Sequence, residues 1–225
     1  MRERAGNHTM TWRKSILYLI VFTSGAVVLA LEIVAGRFLQ VKFGSTIHVW
    51  GNLIAVFLAG LSLGYYLGGH LSDRHASFTR FGLLLLLSAA LVGSLPLYAF
   101  SVREMVFQRL GMERVETIGP LLASLGLFFL PTIVLGTVSP YAVRLVADDP
   151  ARLGRQVGSL YAFSTVGSIV GALGTTFYLI AMLDTPTQFY LFGAIQALLA
   201  LTALGWGILV AEPSGARSPS PTGER

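Results

Sequence analysis

The sequence predicts an all-α polytopic membrane protein of about six transmembrane helices, and three observations lead to this fold class. Hydrophobic residues make up 54% of the 225 residues and charged residues only 12%, about half the charged share of a soluble domain. The charges are gathered between long apolar runs. These runs are apolar on all sides, whereas membrane barrel strands alternate polar and apolar residues. Helices are therefore preferred to a barrel.

Each apolar run can cross about 30 Å of hydrocarbon at about 1.5 Å per residue. The first run is longer than the apolar core of a cleaved signal peptide, so we interpret it as a span. We expect a cytoplasmic segment at 1–14, a six-helix transmembrane domain at 15–210 and a disordered cytoplasmic tail rich in Ser, Pro and Gly at 211–225. The predicted spans are 15–38, 49–72, 81–101, 117–143, 156–183 and 187–210.

Lysines and arginines in the short connections predict the orientation, because cytoplasmic loops carry an excess of them. The opposite connections hold fewer basic residues, or basic residues offset by glutamates. The prediction is a cell-membrane protein with both termini cytoplasmic. We interpret its net charge of +5 as topology-setting charge and expect no binding of nucleic acid. The basic residues of the cytoplasmic side are Arg2, Arg4, Arg13, Lys14, Arg74, Arg80, Arg144, Arg152 and Arg155.

The connection between spans 3 and 4 contains a segment, 102–110, with helical periodicity. Val102, Met105 and Val106 fall near one side of a helix, while Arg103 and Arg109 fall elsewhere. This pattern is typical of a short amphipathic helix lying in the membrane interface.

Glycines recur at four-residue spacing on two of the spans. Gly60, Gly64 and Gly68 lie on span 2, and Gly167 and Gly171 on span 5. Such stripes let helix backbones approach closely, so we expect helix packing there. Glycine spacing alone leaves open whether these contacts are static or slide during transport.

Glu32 is the best candidate for a functional residue. It lies inside span 1, where a carboxylate costs several kcal/mol unless it is paired, protonated or hydrated. One interpretation is a proton or cation site. The other is a structural role, in which Glu32 pairs with Arg37 or is hydrated near the interface; a separation of five residues is poor for a pair on one helix.

Two prolines interrupt span 4. Pro131 and Pro140 remove backbone donors, which predicts a kink that is either static or a hinge, with Thr132 available for a compensating hydrogen bond. Arg144 follows at the cytoplasmic end and can either pair with Asp73 or extend to lipid headgroups. We therefore group five residues as gating or structural: Asp73, Arg74, Pro131, Pro140 and Arg144.

Several chemistries find no support in the sequence. There are no cysteines, the histidines are scattered, and no nucleophile and base or phosphate-binding loop is recognisable. We therefore predict no catalytic residue, no metal and no cofactor.

Five sequence strings together resemble one membrane family. The strings are ALEIVAGR (30–37), FGSTIHVWG (43–51), LAGLSLGYYLGGHLSDR (58–74), LGTVSPYAVR (135–144) and GSLYAFSTVGS (158–168). They resemble the transmembrane domain of spermidine-synthase-like membrane proteins, described as fused major-facilitator and spermidine-synthase proteins, over residues 15–183. His70, and the lack of a basic cluster after His75, depart from the major-facilitator loop motif.

The resemblance implies a bundle like half of a major-facilitator fold. In the fused relatives an aminopropyltransferase-like domain follows the helices, whereas here we expect only a short tail and no aminopropyl transfer. One hypothesis is a transporter-like module that handles a small cationic metabolite such as a polyamine and forms a homodimer in the lipid bilayer. The alternative is a non-transporting anchor for a separately encoded synthase-like soluble partner. The candidates for substrate or ion binding are Glu32, Arg37, Trp50, Tyr161 and Ser164.

Overall fold

The computed structural model describes residues 2–74, 76–110, 112–147 and 152–210, with side chains described for 12–73, 76–110, 114–147 and 152–208. The expected tail at 211–225 lies outside these residues. In the described ranges the regular elements are helical and there is no strand. The α-helices are α1 Arg2–Phe43, α2 Ile47–Arg74, α3 Phe78–Arg109, α4 Met112–Val115, α5 Gly119–Ser124, α6 Leu130–Gly136, α7 Val138–Val146, α8 Leu153–Gly174, α9 Ile180–Met182 and α10 Thr185–Val210.

Six helical stretches in the described chain are long and apolar enough to cross a membrane. This confirms the predicted all-α polytopic membrane fold. All six overlap the predicted spans, and five of them start earlier than predicted. They are span 1 Trp12–Phe43, span 2 Ile47–Asp73, span 3 Phe78–Arg109, span 4 Gly119–Val146, span 5 Leu153–Met182 and span 6 Thr185–Ile208.

The predicted interfacial helix at 102–110 is not a separate element. Helix α3 continues without a break from Phe78 to Arg109, so the segment forms the last turns of span 3. The exposed and buried sides of the segment also differ from the prediction. Met105, predicted on the apolar side, is 50% exposed, whereas Arg103 is only 7% exposed.

Span 4 is interrupted at both predicted prolines. A π-helical turn, Leu125–Phe129, precedes Pro131, and a non-helical residue, Thr137, separates α6 from α7 just before Pro140. Proline cannot donate to the carbonyl four residues earlier, which explains both irregularities. The Thr132 hydroxyl donates to Phe128 O at 2.6 Å, whereas the carbonyl that Pro131 leaves without its helical donor is that of Leu127. Span 5 carries a π-helical turn as well, Thr175–Leu179, with no proline inside it.

The spans pack most extensively as three pairs: span 1 with span 5, span 2 with span 4, and span 3 with span 6. The first two pairs are parallel, because contacts on both helices advance together along the chain. The third is antiparallel, since Gly82 meets Leu204 whereas Gly93 meets Gly193.

The predicted glycine stripes lie at the contacts of the two parallel pairs. A Cβ on Gly64 would collide with the Ile133 carbonyl, and one on Gly68 would lie 2.6 Å from Thr137 O. A Cβ on Gly167 or Gly171 would collide with backbone carbonyls of span 1. Only glycine permits these backbone approaches.

The buried apolar side chains form two clusters stacked along the bundle. One lies at the end where span 1 begins, around Leu17, Phe81 and Tyr141. The other lies at the opposite end, around Phe38, Phe57 and Phe128. Buried polar residues, including Ser24 and Gln196, lie along the chain between the span 1 and span 6 residues of the two clusters, so a polar layer separates them.

Candidate functional site around Glu32

One stripe of span 1 organises the candidate site. Gly25, Leu29, Glu32 and Gly36 recur at spacings of three and four, which places them on one side of the helix. Gly25 and Leu29 line a small cavity together with Tyr65 of span 2 and Ser164 and Ser168 of span 5. Glu32 therefore lies about one helical turn beyond this cavity, toward the end of span 1.

Glu32 is half-buried. Within the described part of the chain, its carboxylate makes no ion pair and no hydrogen bond. The alternative in which Arg37 pairs with Glu32 does not occur, because Arg37 is exposed and donates through Nη1 to Ile180 O at 2.8 Å. That bond joins the ends of spans 1 and 5. The carboxylate at Glu32 is thus left for another partner.

The Trp50 side chain covers the end of the stripe at Gly36. Its indole ring lies over Gly36, where an added Cβ would sit 2.9 Å from the ring, and the side chain remains 36% exposed. A residue larger than glycine at position 36 would displace the ring. Trp50 therefore lies one helical turn from Glu32, on the opposite side from the cavity.

Span 5 brings the remaining candidates to the same side. The Ser164 hydroxyl would lie 3.0 Å from a Cβ on Gly25, so Ser164 packs directly on the stripe. Tyr161, one turn earlier, is 39% exposed. We call the surface formed by these groups the Glu32 face: Gly25, Leu29, Glu32, Gly36, Trp50, Tyr65, Tyr161 and Ser164.

The flanks of the Glu32 face carry a few exposed hydroxyl groups among apolar side chains. Thr165 and Thr176 of span 5 and Ser62 of span 2 are exposed, and Thr165 donates to Tyr161 O of its own helix. Only 11% of the apolar stretch of span 5 is buried, compared with 61% for span 4. Span 5 therefore presents most of its surface outward from the bundle.

The charged residues predicted as gating or structural are not part of the Glu32 face. Asp73 and Arg144 are both exposed, and no ion pair joins them in the described structure. The Arg74 side chain lies outside the described residues. Pro131 is buried and Pro140 half-buried within span 4, where Pro140 packs against Gly68.

Arg103 is a residue that sequence reasoning missed. Its guanidinium donates to Phe38 O at 2.8 Å and lies over the rings of Phe38 and Phe100, 4.3 and 5.2 Å from their centroids. It joins span 3 to the end of span 1, where the carbonyls carry partial negative charge. No signal in the sequence pairs Arg103 with Phe38, because the two residues are 65 positions apart.

Among the described residues, no group of three or more histidine, aspartate or glutamate side chains is arranged to hold a metal ion. The site therefore offers one carboxylate, several hydroxyls and aromatic rings. Such a set can bind a cation or an amine, but it contains no nucleophile and base held together.

The chain matches no protein-family model, no curated protein and no solved structure. The resemblance to spermidine-synthase-like membrane proteins and the half-major-facilitator arrangement stay predictions.

Proposed function

We propose that this chain is a transporter-like membrane module that binds a small cationic metabolite, such as a polyamine, at the Glu32 face. The observation that carries the proposal is the half-buried Glu32 carboxylate, which has no partner among the described residues. A charge at this depth is costly without a counter-charge, and an ammonium group supplies one. Trp50, which packs on Gly36 one helical turn from Glu32, offers an aromatic face to the same cation.

The proposal includes a homodimer in the cell membrane, with both termini cytoplasmic. One chain leaves the Glu32 face open between spans 2 and 5, where lipid would meet exposed hydroxyls. A second copy against this face would enclose Glu32 in a polar pathway instead. No aminopropyl transfer by this chain is part of the proposal.

Ligand-dependent thermal unfolding tests the binding step. We expect putrescine and spermidine to raise the unfolding temperature of the purified protein saturably, because a ligand that binds only the native state stabilises it by RT ln(1 + [L]/Kd). Neutral and anionic metabolites should give no shift. Glu32→Gln should remove the polyamine shift, while Glu116→Gln, at an exposed position outside the spans, should retain it. A polyamine shift that survives Glu32→Gln would rule out the role of Glu32.

The second candidate function is a membrane anchor for a separately encoded synthase-like enzyme. Exposed Arg144 and Arg155 lie at the same end of the bundle, and solvated basic residues there suit an acidic partner surface. An anchor should tolerate Glu32→Gln and lose its partner when Arg144 and Arg155 are changed to glutamate. Co-purification of the partner with each variant separates the two functions.

A further inference from the structure

The cavity beside the Glu32 face is lined by several hydroxyl groups, which suit a small polar ligand. It lies among spans 1, 2, 4 and 5 and has a volume of about 70 Å³. Since water occupies about 30 Å³ in the liquid, the space holds roughly two water-sized groups and no polyamine. Its lining carries five hydroxyl groups, from Ser24, Tyr65, Ser139, Ser164 and Ser168.

Two of the four serine hydroxyls lack a partner among the described residues. Ser24 donates to Gln196 Oε1 at 3.3 Å, and Ser168 donates to Gly25 O at 3.0 Å. Ser139 and Ser164, in contrast, make no hydrogen bond within the described structure. Serines in membrane helices usually bond back to a carbonyl of their own helix, as Ser88 does to Leu85 O at 2.8 Å. The two free hydroxyls meet in one cavity.

The irregular turn of span 4 borders the cavity. Helix α6 ends at Gly136 and α7 begins at Val138. Leu135, Val138 and Ser139 line the cavity, whereas Gly136 packs against Gly64 of span 2. Span 4 thus contributes the Ser139 hydroxyl to the cavity.

We propose that this cavity is a binding site for a monovalent cation of the size of Na⁺. Hard cations prefer oxygen ligands, and the hydroxyl groups of the lining supply such oxygens from four spans, three of which also meet at the Glu32 face. The cavity lining contains no carboxylate, which disfavours a divalent ion. The site does not depend on the proposed function, although it would supply the coupling ion of such a carrier.

Thermal unfolding with Na⁺ as the probe, in the absence of polyamine, tests this site. At equal ionic strength, NaCl should raise the unfolding temperature saturably by several degrees over choline chloride. Ser139→Ala and Ser164→Ala should each abolish this shift, and Ser139→Thr, which keeps the hydroxyl, should retain it. Ser94→Ala is the matched control, because Ser94 bonds to Leu91 O of its own helix.

Equal shifts in NaCl and choline chloride, or a Na⁺ shift that survives both alanine substitutions, would overturn the site. Ser164→Ala keeps the test decisive if Ser139→Ala fails to fold. Glu32→Gln should keep the Na⁺ shift, and its loss would place the cation at Glu32 rather than in the cavity. A Na⁺ shift without any polyamine shift would refute the proposed function and support the cation site.

Discussion

Spans 1 and 5 form one helix pair, and spans 3 and 6 form another. Glycines allow close backbone contact in both pairs, but the hydroxyl groups of the two pairs make different hydrogen bonds. Gly167 packs against the backbone of span 1, and Gly193 packs against Gly93 of span 3. In the first pair the hydroxyls cross between helices: Tyr18 Oη lies 2.5 Å from Ser159 Oγ, and Ser168 donates to Gly25 O. In the second pair Ser88 and Thr202 donate to carbonyls of their own helices.

The difference shows that close approach and polar linkage are separate properties of a membrane helix pair. In spans 3 and 6, Ser88 and Thr202 bond within their own helices, so these two hydroxyls are not shared across the contact. Spans 1 and 5 share their hydroxyls across the contact and place Ser164 at the cavity. The proposed sites accordingly lie on the first pair and not on the second.

Alanine at the tightest glycines should give the largest effect and should affect both pairs alike. Gly167→Ala and Gly193→Ala each put a Cβ into backbone atoms of the partner helix, and we expect a loss of about 3 kcal/mol, the upper part of the usual overpacking cost. Unfolding in a denaturing detergent, followed by circular dichroism, measures it.

Glycines of the same two helix pairs serve as controls. Gly158 has open space around its Cβ position, and the Cβ of Gly93 would make an ordinary contact 3.7 Å from Gly193. Gly158→Ala and Gly93→Ala should therefore be close to neutral. Helix propensity favours alanine over glycine, so equal losses for Gly167→Ala and Gly158→Ala would mean that the contact with span 1 does not decide the outcome.

Removing the contact that joins the two pairs should give the next largest effect. Arg103→Met deletes the bond to Phe38 O and the cation–π contacts, for which we expect a loss of about 2 kcal/mol, typical of a hydrogen bond to a charged donor. Arg109→Met, at an exposed position near the end of the same helix, is the control. Chemical unfolding of the two variants side by side gives the answer, and identical stabilities would show that Arg103 is not a link.

The smallest expected effect is the loss of one hydrogen bond, and it should differ between the two helix pairs. Tyr18→Phe breaks a hydrogen bond between helices, and interhelical bonds in membrane proteins contribute about 0.6 kcal/mol on average. Thr202→Val breaks only a bond within one helix, to Leu199 O at 2.7 Å, and should be neutral within the error. Thermal unfolding of both variants measures the contrast; a larger loss for Thr202→Val would reverse the comparison.

The sequence predicts the parts of this fold that depend on local pattern. Hydropathy locates the six spans, because each must present an apolar surface over its whole length. The prolines predict the breaks of span 4, since a missing donor acts on its own helix. Glu32 stands out because a lone charge inside an apolar run is visible without any partner.

The pairing of helices could not be predicted in the same way. The glycine stripe at Gly64 marks a contact face, but nothing local says that Gly136 lies across from it. The cation cavity draws Ser24, Ser139 and Ser164 from three spans far apart in the sequence. Helical periodicity separates Arg103 from Val102 and Met105, but it gives only the side of a helix and not what covers that side.

The pairing also sets the order in which the bundle can assemble as the chain is synthesised. None of the three extensive pairs joins helices that are neighbours in sequence. Spans 1, 2 and 3 are therefore inserted before their main partners. Their contact glycines face lipid until spans 5, 4 and 6, respectively, are inserted. The first pair to close is spans 2 and 4, and the Glu32 face and the cavity exist only after span 5 arrives. Truncation before span 5 should thus leave inserted helices that have no site.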